Sequence, residues 1–168
     1  YHDDEWGVPV HDEQELFEKL ILDGAQAGLA WITILRKRDG YRRAYEGFDP
    51  ERIAAYGDDD VARLLADPGI VRNRQKVAAS IGNARALLDI HDNGETLEQL
   101  VWSHAPADHA RPTGAGDIPA TSPESDALSK ALKQRGFKFV GSTIVYAFMQ
   151  AVGVVDDHVV TCFRARPT

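Results

Sequence analysis

The segment from Gly136 to Cys162 carries residue types whose spacing suits binding of a phosphate and of a metal ion. It opens with a short turn, Gly136 to Gly141, and an apolar helical pattern begins right after it. A turn of this kind directs several backbone N–H groups outward, and such groups bind phosphate without reading a base sequence. Further on, His158 and Cys162 are spaced so that one face of a helical turn could present both to a metal ion. The segment therefore indicates a helix-hairpin-helix that holds a DNA backbone, followed by candidate metal ligands.

The hairpin turn departs from the common pattern at one position. That pattern has two glycines flanking an apolar residue; Gly141 is the second glycine here, but Phe139 replaces the first. An ordinary αα-hairpin without a ligand is the alternative interpretation. Lysines at the tip of the turn and in the preceding helix favour DNA, because phosphate binding is largely electrostatic. The DNA contacts that we predict here are Lys138, Phe139, Gly141 and Thr143.

Charge alone argues against a nucleic-acid protein, because the chain of 168 residues has a formal net charge of −7. The basic residues nevertheless cluster at 36–43, 72–76 and 130–138, away from the acidic clusters near the N-terminus and at 58–60. This segregation permits one basic face, although solvated helix faces explain such runs as well. One cysteine excludes an internal disulfide and fits a reducing compartment, so we predict a cytoplasmic location. No apolar stretch approaches the roughly 20 residues that span a bilayer, so we predict no membrane partner.

The positioning elements are predicted to be helices almost throughout, because apolar residues recur at helical spacing and no alternating strand pattern competes. We therefore predict an all-α helical bundle with a cleft, a single domain over residues 1–168, with the helix-hairpin-helix at about 125–153. The N- and C-terminal segments are expected to form a second small lobe together. Predicted helices lie at 13–23 behind Asp12, 31–35, 41–45, 51 onward with Pro50 in the first turn, 58–65, 72–91, 96–101, 125–135 with Ser125 as N-cap, and 143–152.

The other end of the chain holds a dense polar and aromatic run, Tyr1 to Pro9, and a second distinctive block, Leu22 to Trp31. Together with the hairpin, these blocks closely resemble the 3-methyladenine DNA glycosylase I family of the helix-hairpin-helix glycosylase superfamily. The resemblance covers essentially the whole chain. The remaining residues that carry it are Arg74, Ile81 to Ala84, Ser125 to Lys130, Gly136 to Gly141 and Asp157 to Val160.

The resemblance implies an all-helical enzyme that flips an alkylated base out of double-stranded DNA and hydrolyses its glycosidic bond. A 3-methylated adenine is cationic, so electron-rich rings attract it and its charge makes it a good leaving group. Trp31 matches the family's stacking tryptophan, Tyr1 its pocket tyrosine and Trp6 a further pocket aromatic. Packing in the core is the alternative for each of these side chains.

Two aspartates are candidates for the chemistry. Asp23 occupies the position of a family glutamate that contacts the base, and its side chain is one methylene shorter. A polar residue near a helix end is the alternative for Asp23. Asp156, in the context Val155 to His158, matches the catalytic aspartate of other superfamily members, whereas close relatives have asparagine there; a helix N-cap is its alternative. No lysine follows the hairpin at residues 142–144, so we predict no lyase step.

The family also ties its termini together with a structural zinc ion held by two cysteines and two histidines. His2, His158 and Cys162 match three of these ligands, and the fourth, an upstream cysteine, is missing from this chain, where we expect residues before Tyr1. The alternatives are a three-ligand site completed by water and no zinc at all. Between Asp23 and Trp31, Gly28 and Leu29 are predicted to press into the duplex beside the flipped base.

These observations predict a monomeric, monofunctional DNA glycosylase that releases 3-methyladenine from alkylated DNA. One alternative is a catalytically silent protein that binds alkylated DNA, which the shortened carboxylate of Asp23 would support. A second alternative is a helical adaptor whose hairpin contacts proteins, and which would show no salt-sensitive DNA binding.

Overall fold

The computed structural model describes residues 1–165, which form eight α-helices and two short 3₁₀ turns, with no β-strand in this part of the chain. The predicted all-α fold is confirmed. The helices are α1 (Glu13–Gln26), α2 (Trp31–Ala44), α3 (Pro50–Ala54), α4 (Asp58–Ala66), α5 (Arg74–Asp92), α6 (Leu97–Trp102), α7 (Pro123–Gln134) and α8 (Ser142–Ala151), and the 3₁₀ turns are Glu46–Phe48 and Ala115–Asp117.

The first helix is the centre of the bundle, because α1 packs against α2, α5, α6 and α8. Asp12 caps it by accepting a hydrogen bond of 2.8 Å from the N–H of Glu15, as the sequence predicts. The helix has neighbours on several sides, so its second half is buried almost all round, from Leu20 to Ala25. A carboxylate at Asp23 is thereby carried into the interior by a helix whose other buried residues there are apolar or small.

The predicted short helix at 41–45 is wrong, because α2 continues without a break from Trp31 to Ala44. Gly40 lies inside this helix against the backbone of Gly69, and a Cβ at Gly40 would lie 2.2 Å from the Gly69 carbonyl oxygen. The glycine is therefore required by a close approach of two backbone segments, whereas in the sequence it resembles a helix end.

The prediction that Ser125 caps the hairpin's first helix is also wrong, since α7 begins at Pro123 with Ser122 as its N-cap. The Ser122 hydroxyl accepts from the N–H of Ser125, and the Ser125 hydroxyl accepts in turn from the N–H of Ser122. This reciprocal capping leaves Ser125 buried in the first turn. Pro123 fixes the choice between the two serines, because proline suits the first helical position.

The two ends of the described chain meet beside α8. The N–H of Val10 donates to the carbonyl of Val152 at 3.1 Å, and the Trp102 indole N–H donates to the carbonyl of Val10 at 2.9 Å. The segment before α1 is thus held against the turn that follows α8. Within residues 1–165, no helix has both the length and the apolar character needed to cross a membrane.

Candidate active site

A cavity of about 150 Å³ opens between the N-terminal segment, the end of α1, the start of α2 and the face of α8. The cavity is lined by four residues that the sequence predicts for the site: Tyr1, Trp6, Asp23 and Trp31. The other lining residues, which sequence reasoning missed, are Gln26, Ala147, Gln150 and Ala151.

The three lining residues of α8 have a spacing in the sequence that is typical of one helix face. Ala147, Gln150 and Ala151 have the spacing of neighbours on one helix face, and two of them are small enough to leave room for a ligand. Nothing in the sequence, however, tells whether that face lies against the core or beside a cavity.

The carboxyl group of Asp23 is buried with 5% of the residue exposed, and its Oδ2 atom has no hydrogen-bond partner. Burial raises the pKa of Asp23 from 3.8 to about 7, because the charged form loses its hydration, and the nearby Lys19 ammonium opposes this shift. The group therefore titrates near neutral pH. A buried carboxyl oxygen without a partner is costly in a folded protein, so it is a candidate for contacting a ligand.

Two aromatic rings line the cavity together with Asp23. The rings of Tyr1 and Trp31 lie 5.4 Å apart between centroids and are tilted by 47°. Burial, and then the negative charges of Asp23 and Glu5, raise the pKa of the Tyr1 hydroxyl, so it stays protonated and can donate a hydrogen bond. The buried indole N–H of Trp31 has no acceptor. The cavity thus offers a π-face, a hydroxyl, an unpaired donor and an unpaired carboxyl oxygen.

Trp6 links this cavity to a second cluster, which we call the terminal cluster and which contains His2, His158 and Cys162. The Trp6 ring lies 4.7 Å from the His158 ring and 6.0 Å from the His2 ring, measured between centroids. The ligand atoms of the three cluster residues all lie within 4.8 Å of one another. The structure therefore places all three predicted metal ligands at one point.

The hydrogen bonds of the terminal cluster leave the Nε2 atoms of both histidines available for a metal ion. The Nδ1 atom of His158 lies 2.8 Å from a carboxylate oxygen of Asp156, and Nδ1 of His2 lies 2.8 Å from Asp3. A carboxylate only accepts, so each Nδ1 carries a proton and each neutral ring keeps a lone pair on Nε2. The buried Nε2 of His158 has no partner, and Nε2 of His2 lies 3.7 Å from the Cys162 sulfur. Two imidazoles and one thiol fit zinc.

The second catalytic candidate, Asp156, lies beside the terminal cluster. It accepts from the Arg111 guanidinium at 2.8 Å as well as contacting His158. Within residues 1–165, the lining of the cavity does not include it.

The sequence predicts no individual role for the neighbouring Asp157. It is nevertheless one of the most buried polar residues, with 2% exposed. Its carboxylate accepts from Nε2 of His109, the Tyr146 hydroxyl and the Gln150 amide at 2.7–2.8 Å. His109 lies in the long connection between α6 and α7, far from Asp157 along the chain, so no local sequence pattern predicts this contact.

Among the described residues, only three buried polar side-chain atoms lack a hydrogen-bond partner: Asp23 Oδ2, Trp31 Nε1 and His158 Nε2. Two of them belong to residues that line the cavity, and the third belongs to the terminal cluster. Buried polar groups are usually paired, so these atoms are candidates for contacts with a bound ligand or metal ion.

The predicted DNA contacts lie on two loops. Gly28 is exposed in the connection between α1 and α2, with Leu29 half-buried beside it. The second loop joins α7 to α8: Phe139 has a φ of 55°, the left-handed conformation that the usual glycine adopts without strain, and Lys138 is exposed. Gly141 is the N-cap of α8, and Thr143 lies in the first turn of that helix.

Comparison with known proteins identifies the family. A model of the methyladenine glycosylase family matches residues 1–165. The chain is 54% identical to DNA-3-methyladenine glycosylase 1 of Escherichia coli (strain K12), over 96% of this chain and 88% of that protein.

Solved structures agree with this assignment. A crystal structure of 3-methyladenine DNA glycosylase I superposes with a TM-score of 0.94 at 52% identity, covering 98% of this chain and 91% of that one. A tyrosine-to-phenylalanine variant of 3-methyladenine DNA glycosylase I in complex with 3-methyladenine superposes with a TM-score of 0.91 at 36% identity, covering 96% of this chain and 88% of that one. The chain therefore belongs to the methyladenine glycosylase family.

Proposed function

We propose that this protein is a DNA glycosylase that hydrolyses the bond between 3-methyladenine and deoxyribose in alkylated double-stranded DNA and releases the free base. The observation that carries the proposal is the unpaired, buried carboxyl group of Asp23 beside the rings of Tyr1 and Trp31. Such a cavity suits a flat, cationic purine with hydrogen-bond donors on its edge. The relatives named above agree, since their names carry the same base.

Binding of the base would use the groups that the folded chain leaves unpaired. The cationic ring is attracted to the π-face of Trp31, and the Tyr1 hydroxyl and the Asp23 carboxylate face the base edge. The positive charge of the base lowers the pKa of Asp23 again, because an opposite charge favours the ionised form. A neutral purine offers no such charge, so the cavity favours the alkylated base.

Hydrolysis then needs little help at the leaving group. The bond between C1′ and N9 breaks with its electron pair passing to the base, which neutralises the base cation. The ionised Asp23 stabilises the positive sugar that develops, and water adds to C1′ and loses a proton. With a pKa near 7 in the free protein, Asp23 is suited to accept that proton. The residues after the hairpin, Ser142, Thr143 and Ile144, provide no amine, so no Schiff base forms.

DNA would be held by the two loops described above. The N–H groups at the start of α8 bind a backbone phosphate, supported by the exposed Lys138. Leu29, with Gly28, presses into the stack and occupies the space that the flipped nucleotide leaves. These contacts would act on any sequence, which suits a protein that searches for damaged bases.

The terminal cluster is proposed to bind a zinc ion through Nε2 of His2, Nε2 of His158 and the sulfur of Cys162. Bound there, zinc would supply a structural link between the two ends of the domain, without a part in hydrolysis. The chain's own contribution is orientation, because Asp156 and Asp3 hold the two imidazoles with Nε2 toward the ion. Trp6 packs on both imidazoles, so this cluster also supports one wall of the base cavity.

The test is release of free base from methylated duplex DNA, measured by chromatography. Wild type is compared with Asp23→Asn and, as a matched variant of the other candidate carboxylate, Asp156→Asn. We expect Asp23→Asn to reduce the single-turnover rate by about 10²-fold or more, the typical loss on removing one group that stabilises developing charge. Asp156→Asn should lose far less, because Asp156 is paired with Arg111 and His158.

The other outcomes select the alternatives. A larger loss with Asp156→Asn would move the chemistry to that residue. Tight binding of methylated duplex without base release by the wild type would identify a catalytically silent binder. We also propose that the protein acts as a monomer in the cytoplasm, where the free thiol of Cys162 stays reduced.

A further inference from the structure

Helix α5 contacts both of the loops that are proposed to touch DNA. We call residues 27–30 the wedge loop and residues 135–141 the hairpin loop. The Lys76 ammonium donates to the carbonyl oxygens of Ala25 and Ala27, each at 2.7 Å. These carbonyls lie in the last turn of α1 and just after it, where a helix has no internal donors left. Lys76 thereby satisfies the end of α1 and fixes the direction in which the wedge loop leaves it.

The hairpin loop is held by Asn83 of the same helix. The Asn83 amide nitrogen donates to the carbonyl of Lys138 at 3.0 Å, and the N–H of Lys138 donates to the Asn83 carbonyl oxygen at 2.8 Å. Asn83 is buried, with 3% exposed. This two-point contact fixes the backbone immediately before Phe139, the residue with the left-handed conformation. The local strain of that conformation is therefore held in place by α5.

The hairpin loop also approaches the last turns of α1 directly, just before the wedge loop begins. Gly24, next to Asp23 in α1, faces Phe139 so closely that a Cβ at Gly24 would lie 3.2 Å from the Cβ of Phe139. Lys76 and Asn83 are about two helical turns apart, so they lie on the same face of α5. One rigid helix thus contacts the wedge loop at one end of this face and the hairpin loop at the other.

We propose that Lys76 and Asn83 are positioning residues that keep the wedge loop and the hairpin loop at one fixed separation. The phosphate held by the hairpin loop and the base step opened by the wedge loop are parts of one bound duplex, so the separation of the two loops decides whether the flipped base enters the cavity. The inference rests on the proposed function. It separates Lys76 from the basic face that the cluster at 72–76 permits, because its ammonium is already bound to two carbonyls.

The experiment measures single-turnover release of 3-methyladenine from methylated duplex DNA by Lys76→Met and Asn83→Leu. Each variant should slow release by about tenfold, the scale of loss that small misplacement of reacting groups causes. Affinity for free 3-methyladenine, measured by quenching of tryptophan fluorescence, should stay within about twofold of wild type, because neither residue lines the base cavity. The double variant should lose less than the product of the two single losses, because both residues maintain one geometry.

Lys138→Met is the matched control, since it removes an exposed lysine of the hairpin loop without touching the contacts of α5. It should lower the salt dependence of DNA binding by about one unit of slope, whereas Lys76→Met should leave that slope unchanged. Thermal unfolding identifies a variant that does not fold; if Asn83→Leu fails, Lys76→Met alone decides the question.

The outcomes separate the inference from the function on which it rests. Normal release by folded Lys76→Met overturns the inference and leaves the glycosylase function standing. A loss of duplex activity matched by an equal loss of free-base affinity also overturns it, because that result indicates a damaged cavity. A wild-type protein that releases no base overturns the proposed function, and this inference with it.

Discussion

The base cavity and the C-terminal segment around Asp156 and Asp157 differ in whether their carboxylates have hydrogen-bond partners. In the segment, Asp157 accepts three hydrogen bonds and Asp156 is paired with Arg111 and His158. In the cavity, Asp23 is nearly as buried as Asp157, and its Oδ2 atom has no hydrogen-bond partner.

The difference separates structural from functional carboxylates. A well-paired carboxylate stabilises the chain positions around it, and it has little bonding capacity left for a ligand. An unpaired one lowers stability and keeps that capacity, which is the usual balance at a functional site. On this comparison, Asp157 and Asp156 hold the fold together, and Asp23 is available for the base.

Asp157→Ala should have the largest effect on stability of the changes that test this comparison. The change leaves the donors of His109, Tyr146 and Gln150 without an acceptor, so the free energy of unfolding should fall by about 3–5 kcal/mol. The measurement is urea denaturation at neutral pH, with Asp23→Ala as the matched control. Removal of the unpaired carboxylate should cost far less, and equal losses in the two variants would contradict the proposed division of roles.

The pH dependence of stability that Asp23 causes should be nearly as large an effect. The pKa of Asp23 is raised from 3.8 to about 7, so between these values the folded protein binds a proton that the unfolded chain has lost. Stability contributed by this group is therefore full below about pH 4 and declines as the pH rises through 7. At 1.36 kcal/mol per pKa unit, the decline reaches about 4 kcal/mol.

Asp23→Asn cannot ionise and should lose this dependence. The unfolding free energies of wild type and Asp23→Asn, measured by urea denaturation across pH 4 to 8, should diverge as the pH rises, with the variant more stable at the alkaline end. A constant difference across this range would show that Asp23 keeps an ordinary pKa and is solvated in the folded protein.

The smallest expected effect concerns the terminal cluster. Removing the carboxylate in Asp156→Ala should weaken zinc binding by about 10–100-fold, the usual loss when a histidine ligand is no longer oriented by its carboxylate. Asp3→Ala removes the corresponding contact of His2, and it should weaken binding less, since the Asp3 side chain is 67% exposed against 12% for Asp156. Competition with a chromophoric chelator measures both affinities. Unchanged affinity in Asp156→Ala would exclude the orienting role.

Local patterns made the helices predictable, and the errors arose where a distant contact decided. Asp12 and Pro50 are read correctly because caps and first turns depend on neighbouring residues. The helix break expected before Tyr41 is wrong. Gly40 is needed there because the backbone of Gly69, from a separate segment, packs closely against it. Ser125 is misassigned because two serines compete for one cap, and only the folded helix shows that Ser122 takes it.

The candidate site divides in the same way. The sequence by itself determined the family, the nature of the reactive groups and the residues Tyr1, Trp6, Asp23 and Trp31 that the structure gathers in one cavity. Side-chain chemistry and motif spacing belong to the chain, so they can be read without coordinates.

Only the tertiary structure decided which carboxylate is free. Asp23, Asp156 and Asp157 are the same residue type, and what separates them is the presence of His109, Arg111 and Tyr146 beside two of them. Those partners come from a loop and a helix that the sequence does not place next to the C-terminal segment. Hydrogen-bond pairing and desolvation depend on all neighbours in space, and for this reason the fold alone sets them.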